Sequence, residues 1–330
     1  MLQCKQEDER EKKVRGKDMN KKQKKSLIYY FLVLLLVIVT GTIGATTTPT
    51  HNNTNKEENQ IIEQEQTEKI SLQSNLFNVL YIDVGQADSI LISNQGKTML
   101  IDAGNNEDGN KLVKYIQSLG IQKIDYLVGT HAHEDHIGGL DNIIQNFEIG
   151  TFYMPYDTRT TTQTYKDVIQ AANKKSLKIT NPQVGDTISL GEANGIVMAV
   201  DNKNPEEVNN SSIVMQFQYG TQKYLFMGDA GSQVENSRNW EDIDVLKVGH
   251  HGSNTSSSVN FIKQVQPELA IISVGKGNTY NLPKQNIIER LESIEAKIYR
   301  TDESGTIYLK SDGNTNTITK IKTDTNEEKE

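Results

Sequence analysis

The chain has 330 residues, of which 35% are hydrophobic, and its single cysteine is Cys4. One cysteine excludes a disulfide framework or a cysteine-based metal site in the body of the protein. Beyond residue 26 the chain carries 25 basic and 38 acidic residues, a net charge of −13. This charge excludes binding of duplex DNA through a broad basic surface.

The N-terminus has the layout of an export signal. A basic flank, "KKQKKS", precedes the apolar run "LIYYFLVLLLVIV", and small residues follow it in "TGTIGATTT". This arrangement is typical of a secretory signal peptide, and extension to Ala45 gives roughly 19 residues, just enough for an uncleaved membrane anchor. We therefore predict a basic segment (1–26) and one N-terminal signal or transmembrane helix (27–45). The positive flank places the rest of the protein outside the cell, secreted or tethered to the outer face of the cytoplasmic membrane.

The remainder divides by composition into a linker, one domain and a tail. Residues 46–75 are rich in Thr, Asn, Gln and Glu, which predicts a disordered linker, and residues 323–330 predict a disordered tail. Between them, residues 76–322 alternate short β-rich runs with helical patterns. This domain begins with three predicted strands, "FNVLYIDVG", "DSILIS" and "KTMLIDAG", and closes with a predicted hairpin, "AKIYRTDESGTIYLK". Two β-rich stretches with interspersed helices predict an α/β domain of two packed sheets with helices outside.

Five of the six histidines fall in two short clusters. His131, His133 and His136 lie in "THAHEDHIGG", and His250 and His251 lie in "KVGHHGS". Each cluster follows a predicted strand, where a His-x-His pair points both rings to one side. Imidazole and carboxylate suit Zn²⁺ and also the harder Mn²⁺ or Fe²⁺. The alternative, a polar loop with unrelated surface histidines, explains this concentration poorly.

The histidine motif resembles the HxHxDH signature of the metallo-β-lactamase superfamily. The other landmarks of that superfamily follow in order, in "LIDAG" (Asp102), "FMGDAG" (Asp229) and "KVGHHGS". The blocks "DVGQADSILI", "LKVGHHGSNTSSS" and "YRTDESGTIYL" are similar to a narrower group, the extracellular hydrolase domain of competence protein ComEC and its free-standing relatives. The resemblance covers roughly residues 76–310 and implies an αββα four-layer sandwich.

The resemblance also implies two divalent metal ions, Zn²⁺ or Mn²⁺. Its ligand set is His131 and His133 for the first ion, Asp135, His136 and His250 for the second, and Asp229 bridging them. Asp102 would steady the metal-binding loop by hydrogen bonds. Asp135 and His251 are the expected catalytic residues, and His251 and Ser253 would face the substrate. His251 is also the alternative to His250 as the ligand.

Two positions depart from the family pattern. Where much of the superfamily supplies a third histidine to the first ion, this chain has "VNNSSIV", so that Asn209 or Asn210 would give a carbonyl oxygen or contact the substrate. Near the C-terminal end, Leu282 stands where ComEC-like proteins often carry a histidine. Asp83, Gln86 and Asp88 in the opening block are expected either on the substrate side or as caps at a strand end.

The resemblance favours an exported phosphodiesterase or nuclease that uses a metal-activated hydroxide. Its substrate would be an extracellular phosphodiester. Two alternatives stay open: a cell-envelope phosphoesterase of the phosphocholine-esterase kind, and a non-catalytic metal-binding surface module. The membrane would be a partner through the N-terminal segment if that segment is uncleaved. No pattern in the sequence indicates a dedicated protein partner.

Overall fold

The strands of this protein alternate their side chains between two apolar layers. In the first strand, Phe77 and Tyr81 enter one core cluster while Leu80, on the opposite face, enters another. Successive strand residues point to opposite faces, so a strand buried on both sides must lie inside the protein. The computed structural model describes residues 70–155, 161–203 and 206–322, all of which belong to one compact unit.

Fifteen strands form two sheets in the described ranges. In chain order the strands are β1 (Phe77–Tyr81), β2 (Ile90–Asn94), β3 (Lys97–Ile101), β4 (Lys123–Val128), β5 (Glu148–Tyr153), β6 (Ile179–Thr180), β7 (Thr187–Leu190), β8 (Ala193–Ala199), β9 (Val214–Tyr219), β10 (Gln222–Phe226), β11 (Val245–Lys247), β12 (Leu269–Ile272), β13 (Lys297–Arg300), β14 (Thr306–Ser311) and β15 (Asn316–Ile321). Sheet one has the order β15-β14-β1-β2-β3-β4-β5-β6, and sheet two has the order β13-β12-β11-β10-β9-β8-β7. Strands β3 to β6 run parallel in sheet one, and β10 to β13 run parallel in sheet two.

The helices lie outside the two sheets. They are α1 (Gly109–Ser118), α2 (Glu134–Ile137), α3 (Leu140–Asn146), α4 (Gln163–Lys174), α5 (Ser232–Glu235), α6 (Val259–Val265), α7 (Gln285–Glu292) and α8 (Thr301–Ser304). Two 3₁₀ turns, Val208–Ser211 and Gly249–Gly252, carry site residues. One apolar cluster lies between the sheets, one packs sheet one against α1, α3 and α4, and one packs sheet two against α6 and α7. The result is the four-layer αββα sandwich expected from the sequence.

The stretch "IGGLDNIIQNF", whose sequence predicts a single helix, is divided at two glycines. Helix α2 ends at Ile137 and α3 begins at Leu140, because the chain at Gly138 and Gly139 passes against the loop after β3. A Cβ on Gly138 would lie 2.2 Å from the Asn105 carbonyl carbon, and one on Gly139 would lie 2.4 Å from the Ala103 carbonyl oxygen. Only glycine allows this approach, which holds the histidine loop against the end of sheet one.

The predicted closing hairpin is wrong. Strand β13 pairs with β12 in sheet two, whereas β14 pairs with β1 in sheet one, and α8 connects them. The hairpin at this end is β14–β15, one step further along the chain. The sequence shows two strand patterns separated by "DESG", but it does not show that they belong to different sheets.

The predicted segments 1–26 and 27–45 and the tail lie outside the described residues. Within 70–155, 161–203 and 206–322, no helix is both long and apolar enough to cross a membrane. The last residues of the predicted linker pack on the domain, since Ile70 and Leu72 contact the cluster between sheet one and its helices.

Candidate metal centre

The residues of the two histidine clusters meet at the carboxyl ends of parallel strands from both sheets. Asp102 follows β3 and His131 follows β4 in sheet one, while Asp229 follows β10 and His250 follows β11 in sheet two. Parallel strands present their carboxyl ends at the same edge, so residues far apart in sequence become neighbours there. The structure thus brings residues of the two histidine clusters and the two aspartates into one neighbourhood.

Asp102 fixes the orientation of the histidine loop. Its carboxylate accepts hydrogen bonds from the Thr130 amide (2.8 Å), from Thr130 Oγ1 (2.8 Å) and from His136 Nδ1 (2.7 Å). A carboxylate can only accept, so His136 carries a proton on Nδ1, and its Nε2 is the ring nitrogen that faces the site. Burial raises the pKa of Asp102, and the neighbouring His136 opposes this shift. The expected supporting role of Asp102 follows from these three bonds.

Two further imidazoles are oriented in the same way. The Thr130 hydroxyl gives its proton to Asp102, so its oxygen, 3.2 Å from His131 Nδ1, accepts from that nitrogen. His251 Nδ1 donates to the Ser273 carbonyl at 2.9 Å. In both rings Nε2 is the nitrogen that faces the other candidate ligand atoms. The sequence did not indicate Thr130 or Ser273, because their roles depend on contacts with the rings rather than on a motif.

The first group of ligand atoms contains His131, His133 and Asp229. His131 Nε2 lies 3.0 Å from His133 Nδ1 and 3.9 Å from Asp229 Oδ2. Ligand atoms around a tetrahedral zinc ion lie roughly 3.4 Å apart, given metal–ligand bonds of about 2.1 Å. Burial and the neighbouring His136 lower the pKa of His131 well below its usual value, which keeps this ring neutral, the form that binds a metal.

The second group contains Asp135, His136, Asp229 and His251, whose ligand atoms all lie within 4.8 Å of one another. His136 Nε2 is 3.2 Å from Asp229 Oδ2, and His251 Nε2 is 3.4 Å from Asp135 Oδ2. Burial opposes ionisation of Asp229, but His136 and His251 hold the pKa of its carboxyl well below the usual range. Asp229 belongs to both groups, which is the position that a bridging ligand requires.

The two adjacent histidines differ in their positions. The sequence prediction assigned His250 to the second ion and His251 to the substrate, with the reverse as the alternative. On the geometry, His251 is the histidine of the second group, whereas His250 Nε2 lies 3.6 Å from Asp229 Oδ2 and its Nδ1 lies 2.7 Å from Thr255 Oγ1. Both residues have left-handed backbone conformations, with φ values of 48° and 51°, and this turns the rings in different directions.

The donor set fits divalent cations. Among the described side chains, the buried atoms without a hydrogen-bond partner include His136 Nε2, His251 Nε2 and Asp229 Oδ1. Buried polar atoms are normally paired, so three unpaired ligand atoms gathered at one place are typical of a cation-binding site rather than of a packed core. The cluster can therefore bind metal ions.

The two asparagines predicted as candidate ligands of the first ion are not equivalent. Asn210 Oδ1 accepts from the Gly231 amide at 3.1 Å, and its Nδ2 donates to Gln233 Oε1 at 3.0 Å. Asn209 is equally buried, but its Oδ1 has no hydrogen-bond partner within the described ranges. Of the two predicted candidates, Asn209 is the one with an oxygen available to a cation.

Ser253 and Leu282 lie on either side of the His250–His251 turn. Ser253 Oγ is 3.2 Å from Thr255 Oγ1, which in turn contacts His250. Leu282 packs partly buried against the core between sheet two and its helices. The side chain that replaces the family histidine at this position therefore serves packing.

A buried ion pair behind the second group was not predicted. Lys247 Nζ lies 2.8 Å from Asp88 Oδ2, and both side chains are almost fully buried. Lys247 belongs to β11 in sheet two, while the Asp88 amide donates to the Asp135 carbonyl in the histidine loop at 3.0 Å. The sequence signal for this pair was a lysine inside the apolar run "IDVLKVG".

Asp83 and Gln86, the other two residues considered in the opening block, make local contacts. Asp83 caps its own turn by accepting from the Gly85 amide, and Gln86 Oε1 accepts from the Gly275 amide.

A family profile described as Metallo-beta-lactamase superfamily matches residues 82–276. The chain belongs to the metallo-beta-lactamase superfamily. Its membership and its His/Asp cluster together make it a metal-dependent hydrolase of that superfamily.

The chain is also similar to three curated bacterial proteins. ComE operon protein 3 of Bacillus subtilis is 32% identical over 251 residues, which cover 69% of this chain and 32% of that protein. Recombination protein 2 of Haemophilus influenzae is 29% identical, covering 69% and 28%, and Competence protein ComA of Neisseria gonorrhoeae is 27% identical, covering 69% and 31%. The chain spans about a third of the length of these relatives. Among solved structures, the metallo-beta-lactamase fold protein YhfI from Bacillus subtilis aligns with 72% of this chain and 99% of its own, at 11% identity and a TM-score of 0.49.

Proposed function

We propose that this protein is a phosphodiesterase acting on nucleic acid, with two divalent cations, Zn²⁺ or Mn²⁺, held by the two ligand groups. The observation that carries the proposal is the position of Asp229, whose carboxylate lies within 3.9 Å of His131 Nε2 in the first group and within 3.2 Å of His136 Nε2 in the second. Two cations held by these residues would supply Lewis acidity and would lower the pKa of a water molecule toward neutral pH.

The protein's own side chains would arrange the substrate as follows. His131 and His136 are fully buried, so they lie on the side of the site that faces the protein interior. Asp135 and His250 are partly exposed, at 32% and 25% of their side-chain surface, and form the open side on which a phosphodiester can approach. His250 Nε2 faces Asp229 there and either completes the first group or contacts the substrate.

The names of the relatives support a nucleic-acid substrate. Two of them contain the words recombination and competence, and we extend that association to this chain as part of the proposal. We also propose that the protein is exported, secreted or tethered to the outer face of the membrane through residues 27–45. The apolar run in that segment supports this location.

A cell-envelope phosphoester is the second candidate substrate. The net charge of −13 beyond residue 26 favours it, because an acidic body attracts a polyanion such as DNA poorly. Turnover of wall polymer without turnover of DNA would identify this alternative.

The test is hydrolysis of bis(p-nitrophenyl) phosphate by the full-length chain loaded with Mn²⁺ or Zn²⁺. We expect turnover that falls at least 100-fold in Asp135→Ala, because this carboxylate belongs to the second ligand group. Ser237→Ala, a change in a serine outside the site, is the matched control and should retain activity. Absence of turnover with either metal would refute the proposal.

A further inference from the structure

A short loop beside the second ligand group presents an exposed aromatic ring. The loop, residues 275–284 ("GKGNTYNLPK", here the Tyr280 loop), connects β12 to α7. Asn278 holds it together: its Nδ2 donates to the Gly275 carbonyl (2.9 Å) and the Leu282 carbonyl (2.8 Å), and its Oδ1 accepts from the Leu282 amide (3.0 Å). One side chain thus spans the loop, which gives it a defined shape without regular secondary structure.

Both ends of the Tyr280 loop are anchored next to His251. Two residues before the loop, the Ser273 carbonyl accepts from His251 Nδ1 at 2.9 Å. At the far end, the Lys284 amide donates to the Gly252 carbonyl at 2.9 Å. Gly252 itself packs so closely that an added Cβ would lie 2.5 Å from Pro283 Cβ. The two ends of the loop therefore lie beside His251, the histidine of the second group.

The middle of the loop combines an aromatic ring with positive charge. Tyr280 is 67% exposed, more than Val184 or Val259, the other exposed large hydrophobic side chains in the described ranges. Lys276 is exposed and Lys284 Nζ donates to the Tyr280 carbonyl, while the loop has no acidic residue.

The nearby acidic side chains do not cancel this charge. On α8, which begins where Thr301 Oγ1 accepts from the Val274 amide, Asp302 and Glu303 share the guanidinium of Arg300, so that one negative charge remains there against the two positive charges of the loop. The loop is thus a locally basic element in a chain that is otherwise strongly acidic.

We infer that the Tyr280 loop is a contact for a single-stranded polynucleotide, with Tyr280 stacking on a nucleobase next to the phosphodiester at the ligand groups. The inference rests on the proposed function and names its substrate more closely. Bases of any sequence stack on exposed aromatic rings, and lysines attract the phosphates on either side. A choline headgroup also binds a tyrosine face, but it is cationic, and the two lysines oppose it.

The first experiment measures binding rather than turnover. The full-length chain with Mn²⁺ is titrated into a fluorescein-labelled phosphorothioate dodecamer of thymidine, and the Kd is read from fluorescence anisotropy. Tyr280→Leu should weaken binding at least fivefold, whereas Tyr280→Phe, which keeps the ring, should stay within twofold. An abasic dodecamer with the same backbone should bind the Tyr280→Leu variant and the unchanged chain equally.

A second series tests the charges. Lys276→Gln should reduce the dependence of log Kd on log salt, whereas Lys111→Gln, an exposed lysine on α1, should leave it unchanged. Equal losses with the base-bearing and abasic strands would overturn the stacking contact. Competition by phosphocholine that disappears in Tyr280→Leu would also overturn it, in favour of the choline ligand.

The outcomes separate this inference from the proposed function. Base-dependent binding through Tyr280 without phosphodiester turnover would retain the contact and reject the catalytic proposal. Turnover together with a Kd that is independent of Tyr280 would retain the catalytic proposal and reject the contact.

Discussion

The buried pair of Lys247 and Asp88 gives the sharpest test of how the two sheets are held together at the site. Lys247→Met removes the ammonium group and leaves the Asp88 carboxylate in a fully buried position, because the lysine side chain has no exposed surface and that of Asp88 is 1% exposed. Removing one partner of a buried ion pair typically costs about 3–5 kcal/mol. A domain of this kind has a total stability of about 5–15 kcal/mol, so the loss should be large.

The measurement is urea unfolding of the metal-free chain, followed by fluorescence of the single tryptophan, Trp240, which is 7% exposed. Lys97→Met is the matched control, since its ion pair with Asp125 is at the surface, with 54% of the lysine side chain exposed. We expect a loss of about 1 kcal/mol or less for this control. The double variant Lys247→Met/Asp88→Asn should recover part of the loss, because no charge is then left unpaired.

The same variants report on the metal centre. Asp88 binds the histidine loop through the Asp135 carbonyl, and Lys247 precedes the His250–His251 turn. We expect the folded double variant to bind Mn²⁺ at least tenfold more weakly. Removal of residues that support the metal ligands commonly weakens metal binding by this amount or more. A loss below 1 kcal/mol for Lys247→Met, or a double variant with the summed cost of both single changes, would refute the reasoning.

Three further predictions concern the ligand groups. Asp102→Asn should weaken metal binding about 10- to 100-fold by calorimetry, because an amide does not fix the His136 tautomer; unchanged affinity would contradict this. Asn209→Ala should weaken the first metal equivalent and Asn210→Ala should not, when both are titrated with Mn²⁺; equal effects would exclude the free Asn209 oxygen as a ligand. In the metal-free chain burial lowers the pKa of His136, but Asp229 and Asp102 more than offset it and raise that pKa well above its usual value. The proton on His136 must leave when a cation binds, so affinity should fall as pH decreases and calorimetry in two buffers should show proton release at neutral pH.

Local patterns in the sequence predicted most of the elements. The alternation in "FNVLY" and the apolar spacing in "GNKLVKYIQSLG" correspond to β1 and α1, because both depend on neighbours along the chain. The partners of strands are not local: β1 pairs with β14, with Phe77 opposite Ser311, and no pattern near either strand indicates this. That is why the closing hairpin was predicted incorrectly.

The candidate site likewise combines residues that local sequence patterns indicate with contacts that depend on the folded chain. The two histidine clusters at the candidate metal centre were identified from "THAHEDHIGG" and "KVGHHGS", whereas Asp102 and Asp229 came from the resemblance to the metallo-β-lactamase superfamily. Which of His250 and His251 joins the second group depends on two consecutive left-handed residues, a conformation that composition does not indicate. Lys247 and Asp88 are 159 positions apart, so their pairing becomes visible only when the sheets are packed.

The ligands of the centre come from two sheets, and this links metal binding to the integrity of the whole domain. His131, His133 and His136 follow a strand of sheet one, whereas Asp229 and His251 follow strands of sheet two. A cation held by both sets would link polypeptide segments about 100 residues apart in the folded chain, and its binding free energy would add to the stability of the fold because the unfolded chain lacks this site. In a protein whose one cysteine rules out an internal disulfide, chelation would remove this link. The two sheets would then be held by the apolar cluster between them, the buried Lys247–Asp88 pair and hydrogen bonds such as that between Tyr224 and Asn316.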